Sequence, residues 1–243
     1  MPHGTPDWGL IGPKSITFGL DDLGEHAVRL GSPHLWDRRG DVLYITDFRE
    51  GLGALAAQAI GAGGEVNLST GLSRQGAYCV RLRTGSTLSR LALLQMLLGF
   101  QDWSVMGLEF SFGVPVGPTL MAGYFQWADA ANSYDARVVY DFALAEVRYF
   151  TTGSAWAVLQ AGVILHLSTR PEHTMKMVVD MDRREYVRFL LDELAWDMRG
   201  TPIDVVALPG LTYRNFRIVH TSPVAINYDA FVDNVIITQN EPR

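Results

Sequence analysis

The residues best placed to do chemistry are Asp180-Met181-Asp182-Arg183-Arg184-Glu185. Alternate positions on a strand share one face. Retaining glycoside hydrolysis needs two such carboxyl groups about 5–5.5 Å apart, one as nucleophile and one as acid. Here an arginine pair breaks the alternation between two apolar runs. A hairpin turn begun by Asp180 is therefore the expected structure, and no catalytic residue is assigned.

Three other groups carry candidate chemistry. Asp129, Asn132 and Asp135 offer oxygen atoms to a Ca²⁺ ion, which takes six to eight of them. The same three residues between two strands suit a solvated loop, so no cofactor is expected; Asp233 and Asn234 could add ligands but are read as a turn. Tyr124, Trp127, Asn132 and Tyr134 form an aromatic and polar cluster of the kind that binds sugars, and Trp196 with Asp192 and Asp197 forms a second. Aromatic residues of β domains usually fill cores, because each buries roughly 150–250 Å². No two of the six histidines are spaced i,i+2 or i,i+4 for zinc, and His166 and His220 read as core or rim residues of apolar strands. No nucleophile elbow, phosphate loop or dinucleotide fingerprint is present. The chain is expected not to be an enzyme.

The elements that would position these residues are strands. Ala77 to Arg83 alternates cleanly, with Tyr78, Val80 and Leu82 on one face, which makes Cys79 a small strand residue and not a nucleophile. Val42 to Ile45 is β-branched and aromatic, Gly107 to Phe112 alternates, and Met121 to Trp127, Ala136 to Tyr140 and Glu146 to Phe150 follow as strands. Further along, Thr174 to Val179 pairs with Tyr186 to Leu191, and Tyr213 to Val219 and Phe231 to Thr238 close the series. Residues 53–64 are too rich in Ala and Gly to assign, and Leu91, Leu94, Leu97 and Leu98 fit a helix as well as a strand. Many short strands at roughly 8–12-residue spacing predict an all-β, antiparallel jelly-roll sandwich spanning residues 39–243. Residues 1–38 differ: Pro- and Gly-rich, they hold one short helix near Asp21 to Leu30. They are read as an arm that makes subunit contacts through Trp8, Phe18, Leu23 and Trp36.

Composition narrows the partners. A formal charge of -6 and a pI near 5.5 exclude a nucleic-acid partner, which would require a basic face. The single cysteine rules out an intramolecular disulfide. The N-terminus lacks a basic region followed by an apolar one, so no signal peptide is expected. The longest apolar stretch, Leu91 to Phe100, falls short of the ~20 residues that span a bilayer, so no membrane partner is expected either.

Three stretches carry a resemblance. His173 to Asp180, Glu185 to Asp192 and Phe231 to Thr238 resemble strands of the concanavalin A-like lectin/glucanase group, the laminin-G-like jelly rolls. Asp180, Asp182 and Glu185 look like that group's catalytic Glu-x-Asp-x-x-Glu, but the first position here is Asp, one methylene too short, and Arg183 and Arg184 sit where the strand should continue. Gly4 to Gly9, Asp37 to Asp41 and Gln239 to Pro242 are similar to segments of phage structural proteins. The resemblance implies a fold that hosts lectins, hydrolases, lyases and virion proteins alike. The resulting expectation is a structural or surface protein of a larger assembly, a virion foremost, in a capsid-decorating or tail-associated position. Its partners would be other copies of itself, a capsid or tail protein and a glycan. The alternative is a soluble carbohydrate-binding module or a degraded glycanase.

Overall fold

The computed structural model describes residues 40–70, 72–74, 77–87, 90–99, 104–208, 210 and 212–243. These contain strands and turns and no helix. The helix placed near Asp21 to Leu30 and the contacts assigned to Trp8, Phe18, Leu23 and Trp36 lie outside the described residues. In chain order the strands are β1 Asp41–Thr46, β2 Ala56–Ile60, β3 Glu65–Thr70, β4 Tyr78–Arg83, β5 Leu91–Leu97, β6 Val105–Gly113, β7 Leu120–Ala128 and β8 Asn132–Asp141. They continue as β9 Glu146–Thr151, β10 Ala155–Ala161, β11 His173–Asp180, β12 Glu185–Leu191, β13 Leu194–Pro202, β14 Asp204–Ala207, β15 Tyr213–Thr221 and β16 Asp229–Gln239.

Two antiparallel sheets result. The first runs β13-β12-β11-β6-β16-β4-β3, with β1 also on β16; the second runs β10-β9-β8-β7-β15-β5-β2, with β14 also on β8. Period-2 alternation explains how they meet. In β6, Met106, Leu108, Phe110 and Phe112 enter the core; in β7 and β8, Met121, Phe125, Trp127, Tyr134 and Tyr140 meet them from the other sheet. Burying each such side chain stabilises the sandwich by roughly 1.5–3 kcal/mol. Cys79 is buried and its thiol is pushed up to about 11 by desolvation, consistent with a packing role.

The ambiguous segments are strands. Residues 56–60 form β2 and 91–97 form β5, paired with each other in register. The hairpin between β11 and β12 is also in place. Asp180 is fully buried and its Oδ1 accepts the backbone N–H groups of Asp182 and Arg183, while Arg184 takes a positive φ of 60° to reverse the chain. Asp180 Oδ2 accepts from Arg243 Nε at 2.6 Å, and Glu185 Oε2 accepts from Gly200 N–H at 3.1 Å. Asp180 thus holds the turn, and Glu185 ties β12 to β13.

Candidate functional site

A groove of about 840 Å³ opens where β13, the last strand of the first sheet, and β10, the last strand of the second, leave the sandwich unsealed. Its walls are the connector that follows β10 (residues 162–166, returning at Glu172 and His173) and the turn from Leu191 to Trp196. Its volume falls within the range of about 300–1,000 Å³ usual for small-ligand sites. Trp196 sits directly opposite Phe189 in the β12–β13 register, and the two rings stack with centroids 5.7 Å apart at 23°. Phe189 is wholly buried, so it fixes one face of a half-buried indole whose surface lines the groove. Polar rim groups come from Gln160, His166, Glu172, Asp192 and Glu193, and apolar ones from Ile164, Leu165 and Leu194.

His173, the first residue of β11, joins the two walls. Its Nδ1 lies 2.7 Å from Asp192 Oδ2 in the turn, and its Nε2 lies 2.9 Å from the His166 carbonyl oxygen in the connector. Asp192 Oδ1 also accepts the Thr174 N–H at 2.8 Å. Burial works to lower the His173 pKa, but the Asp192 hydrogen bond, the His166 carbonyl and the charges of Asp192 and Glu172 outweigh it and raise the pKa. The His166 ring sits 4.3 Å from that of His173 and its Nε2 meets Glu172 Oε2 at 2.7 Å. That contact is the first cause holding the Glu172 carboxyl below its usual range.

The connector is anchored on either side of His166. Tyr140 Oη donates to the Val163 carbonyl at 2.7 Å and accepts from Leu165 N–H at 3.2 Å. Ser168 N–H donates to the Val114 carbonyl at 2.9 Å. Beyond it, Gly113 is needed because a Cβ there would stand 2.0 Å from the Arg170 carbonyl oxygen.

The residues singled out from the sequence divide among several places. Trp127 and Tyr134 pair across β7 and β8 and stack on each other, 1% and 0% exposed, facing the interior. Tyr124 is on the opposite face of the second sheet, where the Arg137 guanidinium lies 4.9 Å from its ring centre. Asn132 starts β8 and gives its N–H to Asp129 Oδ1. The four therefore share a hairpin but no common surface. Asp129 also accepts from Ala131 N–H and from Tyr134 Oη at 2.6 Å, and these bonds, Tyr134 first, keep its pKa low. Asp135 points elsewhere, accepting from Gln126 Nε2 at 2.8 Å and pairing with Arg137. Among the described residues no three His, Cys, Asp or Glu side chains stand together as a metal would require.

The second aromatic cluster is split as well. Asp192 and Trp196 line the groove, whereas Asp197 is exposed and paired with Arg199, which holds its carboxyl at about 2 through that side chain's hydrogen bonds. His220 is fully buried with Nδ1 against the Leu82 carbonyl; desolvation depresses its pKa to about 4 and leaves it neutral. His166, in contrast, lies in the irregular connector, not in a strand, with 62% of its side chain exposed. The groove's His166, Glu172, His173 and Glu193 were not grouped by sequence, because a turn and an irregular connector bring them together. The proximity of Asp192 and Trp196 was the available signal.

No family model matches the chain, and no curated protein does. Solved structures do. Alginate lyase vAL-1 from Chlorella virus superposes with a TM-score of 0.55 at 10% identity, covering 82% of this chain and 100% of that one. The Emp46p carbohydrate recognition domain in its potassium-bound form gives 0.51 at 12%, covering 82% and 94%. A carbohydrate esterase of the Shiga toxin-encoding bacteriophage phi24B gives 0.51 at 14%, covering 83% and 100%. At these identities the likeness is one of fold alone: a concanavalin A-like β-sandwich, an architecture found in enzymes and binding domains alike. No described helix is long and apolar enough to cross a membrane.

Proposed function

We propose that this chain is a non-enzymatic, lectin-like module that binds a glycan in the groove beside Trp196. The observation that carries this reading is the indole itself, backed by buried Phe189 and lining an open groove with a polar rim. A sugar ring offers an apolar C–H face to such an aromatic surface and hydroxyl groups to the surrounding oxygen and nitrogen atoms. Both Asp192 oxygens already accept hydrogen bonds and Glu172 is held by His166, an arrangement that suits recognition better than proton transfer. Similarity to carbohydrate-recognition and carbohydrate-active folds agrees with this reading. Calorimetric titration with cellohexaose, xylohexaose and chitohexaose tests it. Binding is expected, weakened at least about tenfold by Trp196→Ala, an effect of about 1.4 kcal/mol. No affinity for any glycan across an array would contradict the binding role, and cleavage of a bound oligosaccharide would contradict the non-enzymatic one.

At the level of assembly, the reading is a virion surface protein, capsid-decorating or tail-associated, that displays this sandwich outward. Its support is the sequence: an arm of residues 1–38 that carries Trp8, Phe18, Leu23 and Trp36, and the likeness of Gly4 to Gly9, Asp37 to Asp41 and Gln239 to Pro242 to phage structural proteins. Mass in solution decides it: the full chain is expected to be oligomeric and a form lacking residues 1–38 monomeric. Two monomers of equal stability would overturn it.

A further inference from the structure

His173 presents a proton-counting problem with one solution. Both ring nitrogens face acceptors, a carboxylate oxygen and a carbonyl oxygen, and the ring is 3% exposed. A neutral imidazole carries one N–H, so it can satisfy one of these acceptors; the imidazolium satisfies both. When the proton is lost, the remaining N–H stays where a carboxylate opposes it, on Nδ1 toward Asp192. Nε2 then turns a lone pair toward the lone pairs of the His166 carbonyl, and a hydrogen bond becomes a repulsion.

The consequence is local. Leu165 and Ser168 are anchored by Tyr140 and Val114, so the segment released is His166–Leu167 between them. That segment carries the His166 ring, which lines the groove, and Leu167, which is 52% exposed. We propose that His173 is a pH-dependent latch for the groove: protonated, it ties the connector to the β12–β13 turn, and deprotonated, it releases the His166 wall. The proposal rests on the groove being the binding site, and it adds how that site is regulated.

The charged surroundings favour the latched state. Asp192 faces His173 from the turn, and Glu172 faces it from the end of the connector. The His166 ring lies 4.3 Å from it, tilted by 58°, on the connector side, and Phe112 of β6 contributes an uncharged ring at 5.7 Å. Arg74 acts on Asp192 and Glu172 from residues 72–74, and Arg170 acts on Glu172, so both carboxylates also have competing cations. Asp192 still makes the direct contact, and the His173 pKa is raised. The latch is therefore closed at mildly acidic pH and opens as pH rises above the ordinary histidine range.

The test is NMR on the full chain, following the His173 and His166 ring carbons and amide protection at His166 and Leu167 from about pH 5 to 9. Protection at these two amides is expected to fall about tenfold in step with His173 deprotonation, the scale of one charge-assisted hydrogen bond. Affinity for whichever of cellohexaose, xylohexaose or chitohexaose binds is expected to fall along the same curve. His173→Gln should flatten both curves, whereas His166→Gln, which changes the groove surface, should keep the step. Protection or affinity that follows His166 and not His173, or that shows no step, overturns the latch, and the unmutated chain decides this even if His173→Gln fails to fold. If none of the oligosaccharides binds at any pH, the glycan reading fails while the protection step still stands or falls by itself.

Discussion

Strand β11 carries two buried cations three residues apart, and they lead opposite lives. His173 faces the opening between the sheets; Lys176, an odd number of positions away, faces the outside of the first sheet. Lys176 is 2% exposed, with Nζ 2.8 Å from Glu241 Oε1. Glu241 also pairs with Arg188 and accepts from Thr238 Oγ1 at 2.5 Å, while Arg188 Nη1 reaches the Pro242 carbonyl at 2.7 Å. This cluster pins the C-terminal segment across β6, β11 and β12 through a lysine and an arginine that share one buried carboxylate. The His173–Asp192 pair is built on a histidine, whose charge changes near neutral pH, and it borders an open groove. A buried pair can thus be a permanent tie or a conditional one, and the identity of the cation decides which.

The comparison breaks most visibly at Glu241. Glu241→Ala would leave Lys176 and Arg188 buried without this carboxylate, at an expected cost of about 3–5 kcal/mol in denaturant unfolding. A smaller loss, under about 1 kcal/mol, would mean that the cluster is more solvated than its burial implies. Trp127→Ala should cost a similar ~3–5 kcal/mol, because the ring is in the core. It is expected to leave glycan affinity nearly unchanged where the protein remains folded, the reverse of Trp196→Ala.

The conditional tie is read from pH. Because the His173 pKa is raised on folding, its stabilising contribution is complete below the unfolded value of about 6.5 and is lost as pH rises through the folded value. Chemical denaturation between pH 6 and about 9 should therefore show a decline in stability in the wild type that His173→Gln lacks. Asp180→Ala should cost about 1–2 kcal/mol, since two backbone N–H groups and Arg243 lose their acceptor. Least of all, Asp197→Asn is expected to leave both the melting temperature and glycan binding unchanged, its carboxyl being exposed and paired with the exposed Arg199.

Much of the fold was legible because alternation is a local signal. The β11–β12 hairpin could be read from two apolar runs flanking an Asp that starts a turn. β5 resisted because Ala92, Leu93 and Leu94 are all buried, with Ala92 and Leu94 in the core and Leu93 in a separate cluster on the other face. A strand apolar on both faces has no alternation to read. The site was less legible. Tyr124 and Trp127, three positions apart on one strand, must point to opposite faces, and strand parity alone separates them. Asp192 and Trp196 did mark one wall of the groove. The other wall is an irregular connector whose position depends on Tyr140, Val114 and the absence of a side chain at Gly113, contacts that no local pattern encodes.

The central claim, that the groove beside Trp196 is the glycan site, is tested most directly by mapping amide and indole chemical-shift changes as cellohexaose, xylohexaose or chitohexaose is added to the full chain. The account predicts shifts concentrated at the Trp196 indole, Glu193, Leu194 and His166. Shifts centred on Tyr124 and Arg217, on the outer face of the second sheet, would contradict it.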